Sequence, residues 1–217
     1  WNKIRIPIAA RPSTTTDRPI IFCDEQYCWE LYKADRIDAT TWKALHMRRW
    51  DRSGRGTIPT YDLMGGASVC ATSAYVHRMI TREELVDKGE INHALGFYYW
   101  ADKLGGHWGE YPCKKYNGGR NPRTWAMTLG FRLRFNPAIN LDALGITNIL
   151  HRRIFKAAQD YGMFFIENNG PGYNSLAVES DYARSWKWGT MLANFPGELF
   201  QKYLQVIENV CTAGDCP

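Results

Sequence analysis

The stretch "PIIFCDEQYCWELYKADRI", residues 19–37, leaves this chain few ways to fold. Two apolar or aromatic runs flank a polar turn, and Cys23 and Cys28 bracket that turn. The pattern predicts a β-hairpin, which a Cys23–Cys28 bridge would clamp, with Asp24 as a turn residue. In the second strand the period of two puts Glu30 and Tyr32 on one face. Trp29, Leu31 and Lys33 take the other.

Other runs repeat the theme. "TWKALHMRRWDR" reads as a third strand, and so do "LGFRLRF" (129–135), "MFFIE" (163–167) and "SLAVES" (175–180). Residues 91–100 read as a strand with Ile91, His93, Leu95, Phe97 and Tyr99 on one face and Asn92, Ala94, Gly96, Tyr98 and Trp100 on the other. Helical patterns are fewer. "ASVCATSAYVHRM" (67–79) reads as a buried helix of small residues. Thr81 and Glu84 make a capping box for a short helix that should stop near Gly89. In "ITNILHRRIFKAAQDYG", Leu150, Ile154, Ala157, Ala158 and Tyr161 form an apolar stripe and Gly162 follows as a natural end. Residues 102–128 read as a long irregular loop of the kind that lines sites.

The expected fold is therefore β-rich, a β-sandwich or distorted β-barrel with about three peripheral helices in a single domain. Residues 1–20 read as an extended N-terminal arm, 21–210 as the domain and 211–217 as a disulfide-bearing tail. A chain of 217 residues can bury a core without metal or disulfide support. Its six cysteines nonetheless suggest bridges and an oxidising compartment. The expected pairs are Cys23–Cys28, Cys70–Cys113 and Cys211–Cys216, with free buried thiols as the alternative. C-x4-C spacing without a nearby histidine argues against zinc.

The sequence has no signal peptide, no membrane-spanning run and no N-x-S/T acceptor, and it starts as a processed secreted chain would. The net charge of +5 comes from scattered basic residues. It pulls weakly toward anionic partners such as acidic polysaccharide, and no fingerprint points to nucleic acid.

Four stretches, "CWELYKA", "GEINHALGF", "LGFRLRF" and "AAQDYGMFFIENNG", resemble in order and spacing a family of secreted soil-bacterial proteins, most without an assigned function. Its members read YELxxA … GEIxHALxF … PMGxRxRL … ALxxYGMxxxDNG. The likeness spans roughly residues 1–195 and implies secretion and a β-rich fold. This chain departs from the pattern at Thr128-Leu129, in place of Pro-Met, and at Glu167, in place of Asp.

Chemistry must come from individual residues. His93 sits among apolar neighbours, as a satisfied core histidine, a general base or a partner to a carboxylate. A metal would need further ligands, and no histidine pair has ligand spacing. Glu30 in mid-strand is either surface-facing or a cleft carboxylate with a raised pKa. Asp62, Glu110 and Glu167 are further carboxylates. Arg132 and Arg134 share a strand face, either solvated or gripping a uronate carboxylate. Tyr32, Tyr98, Trp100 and Trp108 offer surfaces for sugar rings, and Trp125, Trp186 and Trp188 add to the aromatic supply.

The leading expectation is a secreted glycoside hydrolase with Glu30 as acid/base or nucleophile and His93 assisting. Alternatives are a polysaccharide lyase acting by β-elimination and a non-catalytic carbohydrate- or cell-wall-binding protein. The expected protein is a monomer acting on polysaccharide, without cofactor, metal, nucleic acid or membrane.

Overall fold

A computed structural model describes residues 4–54, 74–105, 127, 129–170, 174–179 and 187–207. The hairpin forms as the sequence predicts. Strand β1 (Ile20–Cys23) pairs antiparallel with β2 (Tyr27–Tyr32), and a disulfide joins Cys23 to Cys28 at the turn. The Asp24 carboxylate accepts the backbone N–H groups of Gln26 and Tyr27, which fixes the turn. The expected third strand is two pieces. β4 (Trp42–Lys43) pairs with β3 (Asp35–Arg36), and β5 (His46–Asp51) pairs with β2 to give the sheet order β1-β2-β5.

The N-terminal arm is stitched to this unit. Backbone N–H groups of Lys33 and Ala34 donate to the carbonyls of Asp17 and Arg18, and Arg36 donates to that of Ile8. The sites of the expected Cys70–Cys113 and Cys211–Cys216 pairs lie outside the described residues.

A larger sheet holds the main core. Its order is β10-β7-β8-β6-β9, from Leu204–Val206, Arg132–Phe135, Met163–Asn169, Leu95–Trp100 and Ser175–Leu176. Only β6 and β8 run parallel. Helix α1 (Ile149–Asp160) begins where the Asn148 side chain accepts the N–H groups of Leu150 and His151. It buries Ile154, Phe155, Ala157 and Ala158. Phe155 meets Phe135 of β7 edge-on at 4.8 Å between ring centroids, and each fully buried ring contributes about 2 kcal/mol of transfer free energy.

Tyr161 was expected in the buried stripe. It is instead exposed, its hydroxyl bonding Asn92, and Phe155 takes the inward place. Gly162 ends the helix at φ 76°, where a Cβ would lie 2.8 Å from the Leu133 carbonyl oxygen. The short helices α2 (Trp188–Met191) and α3 (Gly197–Lys202) complete the chain's mixed ending, and Phe200 joins the core.

The β-rich expectation holds. Ten strands form three open sheets with few helices, and among the described residues no sheet closes into the barrel alternative. The expected helix over 67–79 is not seen where it can be judged: residues 74–79 form turns, and 67–73 lie outside the described residues. No described helix is long and apolar enough to cross a membrane.

Closing the six-residue loop between Cys23 and Cys28 restricts the unfolded chain by about 2 kcal/mol. The double variant C23A/C28A should lose stability of that order in urea unfolding. An unchanged unfolding midpoint would show that the bridge does not constrain the chain.

Candidate functional site

Residues 74–80 join the two sheets. On one side the Val76 N–H donates to the Glu30 carboxylate at 3.0 Å. On the other, the Gly96 N–H of β6 donates to the Arg78 carbonyl at 2.7 Å, and Ile80 exchanges backbone bonds with Ala177 and Glu179. A Cβ on Gly96 would lie 2.7 Å from Ile166 Cδ1 and 3.0 Å from Arg78 Cβ, so only glycine admits this approach.

Beside this joint runs an open groove of about 1270 Å³. One wall is the arm (Ala9–Asp17) with β1. The other is the C-terminal end of β6, β8 and β9. Tyr75, Tyr98, Trp100 and Trp188 line it with apolar surface, and Asp17, Asp102, Glu167 and Glu179 supply carboxylates.

The position of Glu167 depends on an irregularity in β8. Phe97 pairs with Phe165, yet Tyr98 pairs with Glu167, so Ile166 is left over as a bulge. Simple alternation would put Glu167 on the same face as Phe165, toward α1. The extra residue turns it to the Tyr98 face instead, the usual effect of a bulge on side-chain direction.

The Tyr98 hydroxyl is held protonated well above the usual phenol range. Burial is the main cause, followed by Tyr75 and by the negative charges of Glu167 and Asp17. Burial likewise raises Tyr75, to which Tyr98 is hydrogen-bonded. Asp17 is oriented by the Tyr32 hydroxyl, which donates to it at 3.1 Å.

Glu30 is fully buried, at 0% exposure. Arg48 stands opposite Glu30 on β5, and the Glu30 charge raises the Tyr75 pKa slightly further after burial. Sealed in this way it holds the wall and does not face the groove. His93 does not meet it. The strand begins only at Leu95, and His93 lies in the bend before it. Its Nε2 faces Glu84 Oε1 at 3.2 Å, and its Nδ1 faces the Ala94 carbonyl at 3.0 Å. The second Glu84 oxygen accepts the Thr81 hydroxyl at 2.7 Å, completing the expected capping box, and Thr81 reaches the groove wall.

Both imidazole nitrogens face acceptors, which suits the imidazolium. Burial lowers the His93 pKa and Arg78 lowers it further, but the bonds to Glu84 and Ala94 outweigh both and the net shift is upward. Burial pushes Glu84 up, while His93 and Thr81 pull it down further.

Of the other expected contacts, Trp100 and Tyr98 line the groove and Tyr32 acts through Asp17. Arg132 is half-buried over the Phe164 ring, and Arg134 is exposed opposite Gln205. Trp108, Trp125, Trp186, Asp62 and Glu110 lie outside the described residues. Asp17 carries no sequence signal for a site, because it sits in an irregular arm. Glu84 had one: the capping box fixes its carboxylate, nine residues before His93. Among the described residues no group of three His, Cys, Asp or Glu side chains is arranged to hold a metal. Compared with known proteins, the chain matches no family model, no curated protein and no solved structure.

Two outcomes follow from this geometry. Glu30→Ala leaves the Val76 N–H and the pocket behind Tyr75 without their carboxylate, and should destabilise the fold by about 3 kcal/mol. Urea unfolding of the variant checks this, and a loss below about 1 kcal/mol would remove Glu30 from the joint.

The second concerns pH. The His93 share of stability is complete below its ordinary value of 6.5 and is lost as pH rises through its raised folded value. The Glu84 share is complete above 4.5 and is lost as pH falls through its lowered folded value. The pair therefore contributes fully between 4.5 and 6.5. H93Q should lose about 1–3 kcal/mol at pH 6 and less at pH 8. Equal losses at both pH values would refute the coupling.

Proposed function

We propose that the protein is a secreted carbohydrate-active enzyme that hydrolyses a polysaccharide laid in the groove, with Glu167 and Asp17 as its carboxyl pair. The observation that carries this reading is the bulge at Ile166, which aims Glu167 beside Tyr98 while Asp17 approaches the same hydroxyl from the arm. Glycoside hydrolysis needs two carboxyl groups flanking the scissile bond, one giving a proton to the leaving oxygen and one acting as nucleophile or base. Glu167 stands on a strand and is the more rigid of the two. Trp100 and Tyr98, both half-buried in the lining, offer flat apolar surface of the kind that stacks on sugar rings.

This moves the catalytic role from Glu30 to Glu167. In the proposed enzyme Glu30 and His93 are supports: Glu30 holds Val76 and backs Tyr75, and His93 steadies Thr81 through Glu84. Elimination is less well served, because it needs a base. The Tyr98 hydroxyl keeps its proton, and His93 favours the imidazolium away from the groove lining. The disulfide hairpin and the likeness of the "CWELYKA" and "GEINHALGF" stretches to secreted proteins support an extracellular setting.

Reducing-end release from a panel of polysaccharides tests the proposal. Wild type should release ends from at least one polymer, and E167Q and D17N should each lower the rate by about 100-fold or more with the polymer still bound. Retention of a polymer by wild type without any release would make the protein a binding module. A product with the ultraviolet absorbance of an unsaturated sugar would make it a lyase.

A further inference from the structure

The face of the large sheet that carries Tyr98 and Glu167 also carries, beyond the groove lining, an arginine pair that meets no carboxylate among the described residues. Arg78 reaches from the 74–80 joint to place its guanidinium 4.2 Å from the centre of the Phe164 ring. Arg132 of β7 places its own 4.9 Å from the centre of the same ring. Cation–π contact explains why each guanidinium rests there. It does not explain why two like charges share one ring.

Arg78 is half-buried, and its Nε, itself shielded from solvent, has no hydrogen-bond partner among the described residues. Among the described residues neither guanidinium forms an ion pair with a carboxylate. Burial first, and then the charge of Arg132, depress the Arg78 pKa to about 10, so it still carries its charge at neutral pH. The surrounding charges do not relieve the repulsion. His93 and His77 both feel the Arg78 charge, and Arg52 adds to the positive field at His77. Glu84, the one carboxylate of this cluster, is engaged by His93 and Thr81.

Two half-buried guanidinium groups held together on one ring repel each other, and their planar forks of donors suit a carboxylate or a sulfate ester. Phe164 pairs with Gly96 on β6, and Tyr98 and Glu167 form the next pair on the same face. Two residues along a strand span roughly 7 Å. We infer that Arg78 and Arg132 form an oxyanion subsite for an acidic glycan, binding the carboxylate or sulfate of a sugar unit that neighbours the one at Glu167. This rests on the proposed reading of the groove and adds the substrate class to it.

The test uses a polyuronate, its carboxyl-reduced counterpart, a sulfated glycan and inorganic sulfate, with affinity measured for wild type, R132Q, R132K and K43Q. K43Q removes one exposed positive charge from β4, which belongs to a different sheet from Phe164, and controls for net charge. Wild type should bind the polyuronate or the sulfated glycan at least about tenfold more tightly than the carboxyl-reduced polymer. R132Q should erase that preference, R132K should keep part of it, and K43Q should keep all of it. Which acidic polymer is preferred tells carboxylate from sulfate.

If wild type binds and cleaves the reduced polymer as well as the acidic one, the oxyanion subsite is overturned and the groove reading stands. If no glycan binds but inorganic sulfate raises the melting temperature in wild type and not in R132Q, the subsite stands and the groove reading fails. Equal affinity of R132Q and wild type for every anion overturns the subsite. R78Q is a second probe: with R132Q folded, loss of the acidic preference in both variants is required.

Discussion

The buried carboxylate of Glu30 is the contact on which the rest of the structure turns. Its acceptance of the Val76 N–H is the described hydrogen bond from the disulfide hairpin to the segment that rides on the large sheet. Taking a carboxylate out of water is expensive, and an apolar side chain of similar size would often be tolerated as well or better in a core. An apolar side chain offers no acceptor, however, and leaves the part-buried Val76 N–H without the Glu30 carboxylate. What Glu30 adds is a fixed position for residues 74–80. Tyr75, Arg78 and Ile80 inherit their places from it: one in the groove wall, one over Phe164 and one paired with β9's neighbour Val178.

The same segment makes a demand on the strand beneath it. Its carbonyl at Arg78 accepts the Gly96 N–H, and the side chains of Ile166, Arg78 and Ala177 crowd the place a Cβ on Gly96 would take. Glycine weakens a strand, since it packs nothing and loses more backbone freedom than other residues on folding. Here it lets β6 take the 74–80 segment beside β9 on one edge while β8 pairs along the other. The bulge at Ile166 lies one step further along the same pair of strands. Ile166 is itself fully buried, so its apolar contacts hold the irregularity in place. Close approach at Gly96 and the register change at Ile166 together decide what the face above them presents.

Much of the scaffold was legible in the sequence, because local rules decide it. Cys23, Asp24 and Cys28 name the hairpin turn. Thr81 and Glu84 name a helix start. Leu133 and Phe135 alternate with Arg132 and Arg134 as a strand with one buried face must. Gly162 marks where α1 stops. For His93, alternation was extended two residues ahead of the strand. The place of Glu167 depends on a bulge that no single residue type announces. Glu30 was recognised as a residue needing compensation. Its partner, Val76, lies 46 positions away in a stretch whose small residues look helical, so the tie between them is tertiary and leaves no local trace.

The face that results has two ends of opposite charge. Glu167 and Asp17 gather around Tyr98, and Arg78 and Arg132 gather around Phe164, about two strand residues away. Flexible side chains with these charges would find each other and neutralise. No ion pair links the two ends among the described residues, because each is held by something rigid. Glu167 stands on the bulged strand, and the two guanidinium planes rest on one ring. Separation of this kind stores electrostatic free energy in the empty protein, and a ligand that brings its own anion to the arginine end recovers it. In the proposed reading, such an arrangement favours a molecule whose charge and reactive bond lie about two strand residues apart. The spacing that an acidic glycan would have to match in that reading is set by the pleat of β6 and β8, and by the one extra residue at Ile166 that turns Glu167 to the same side.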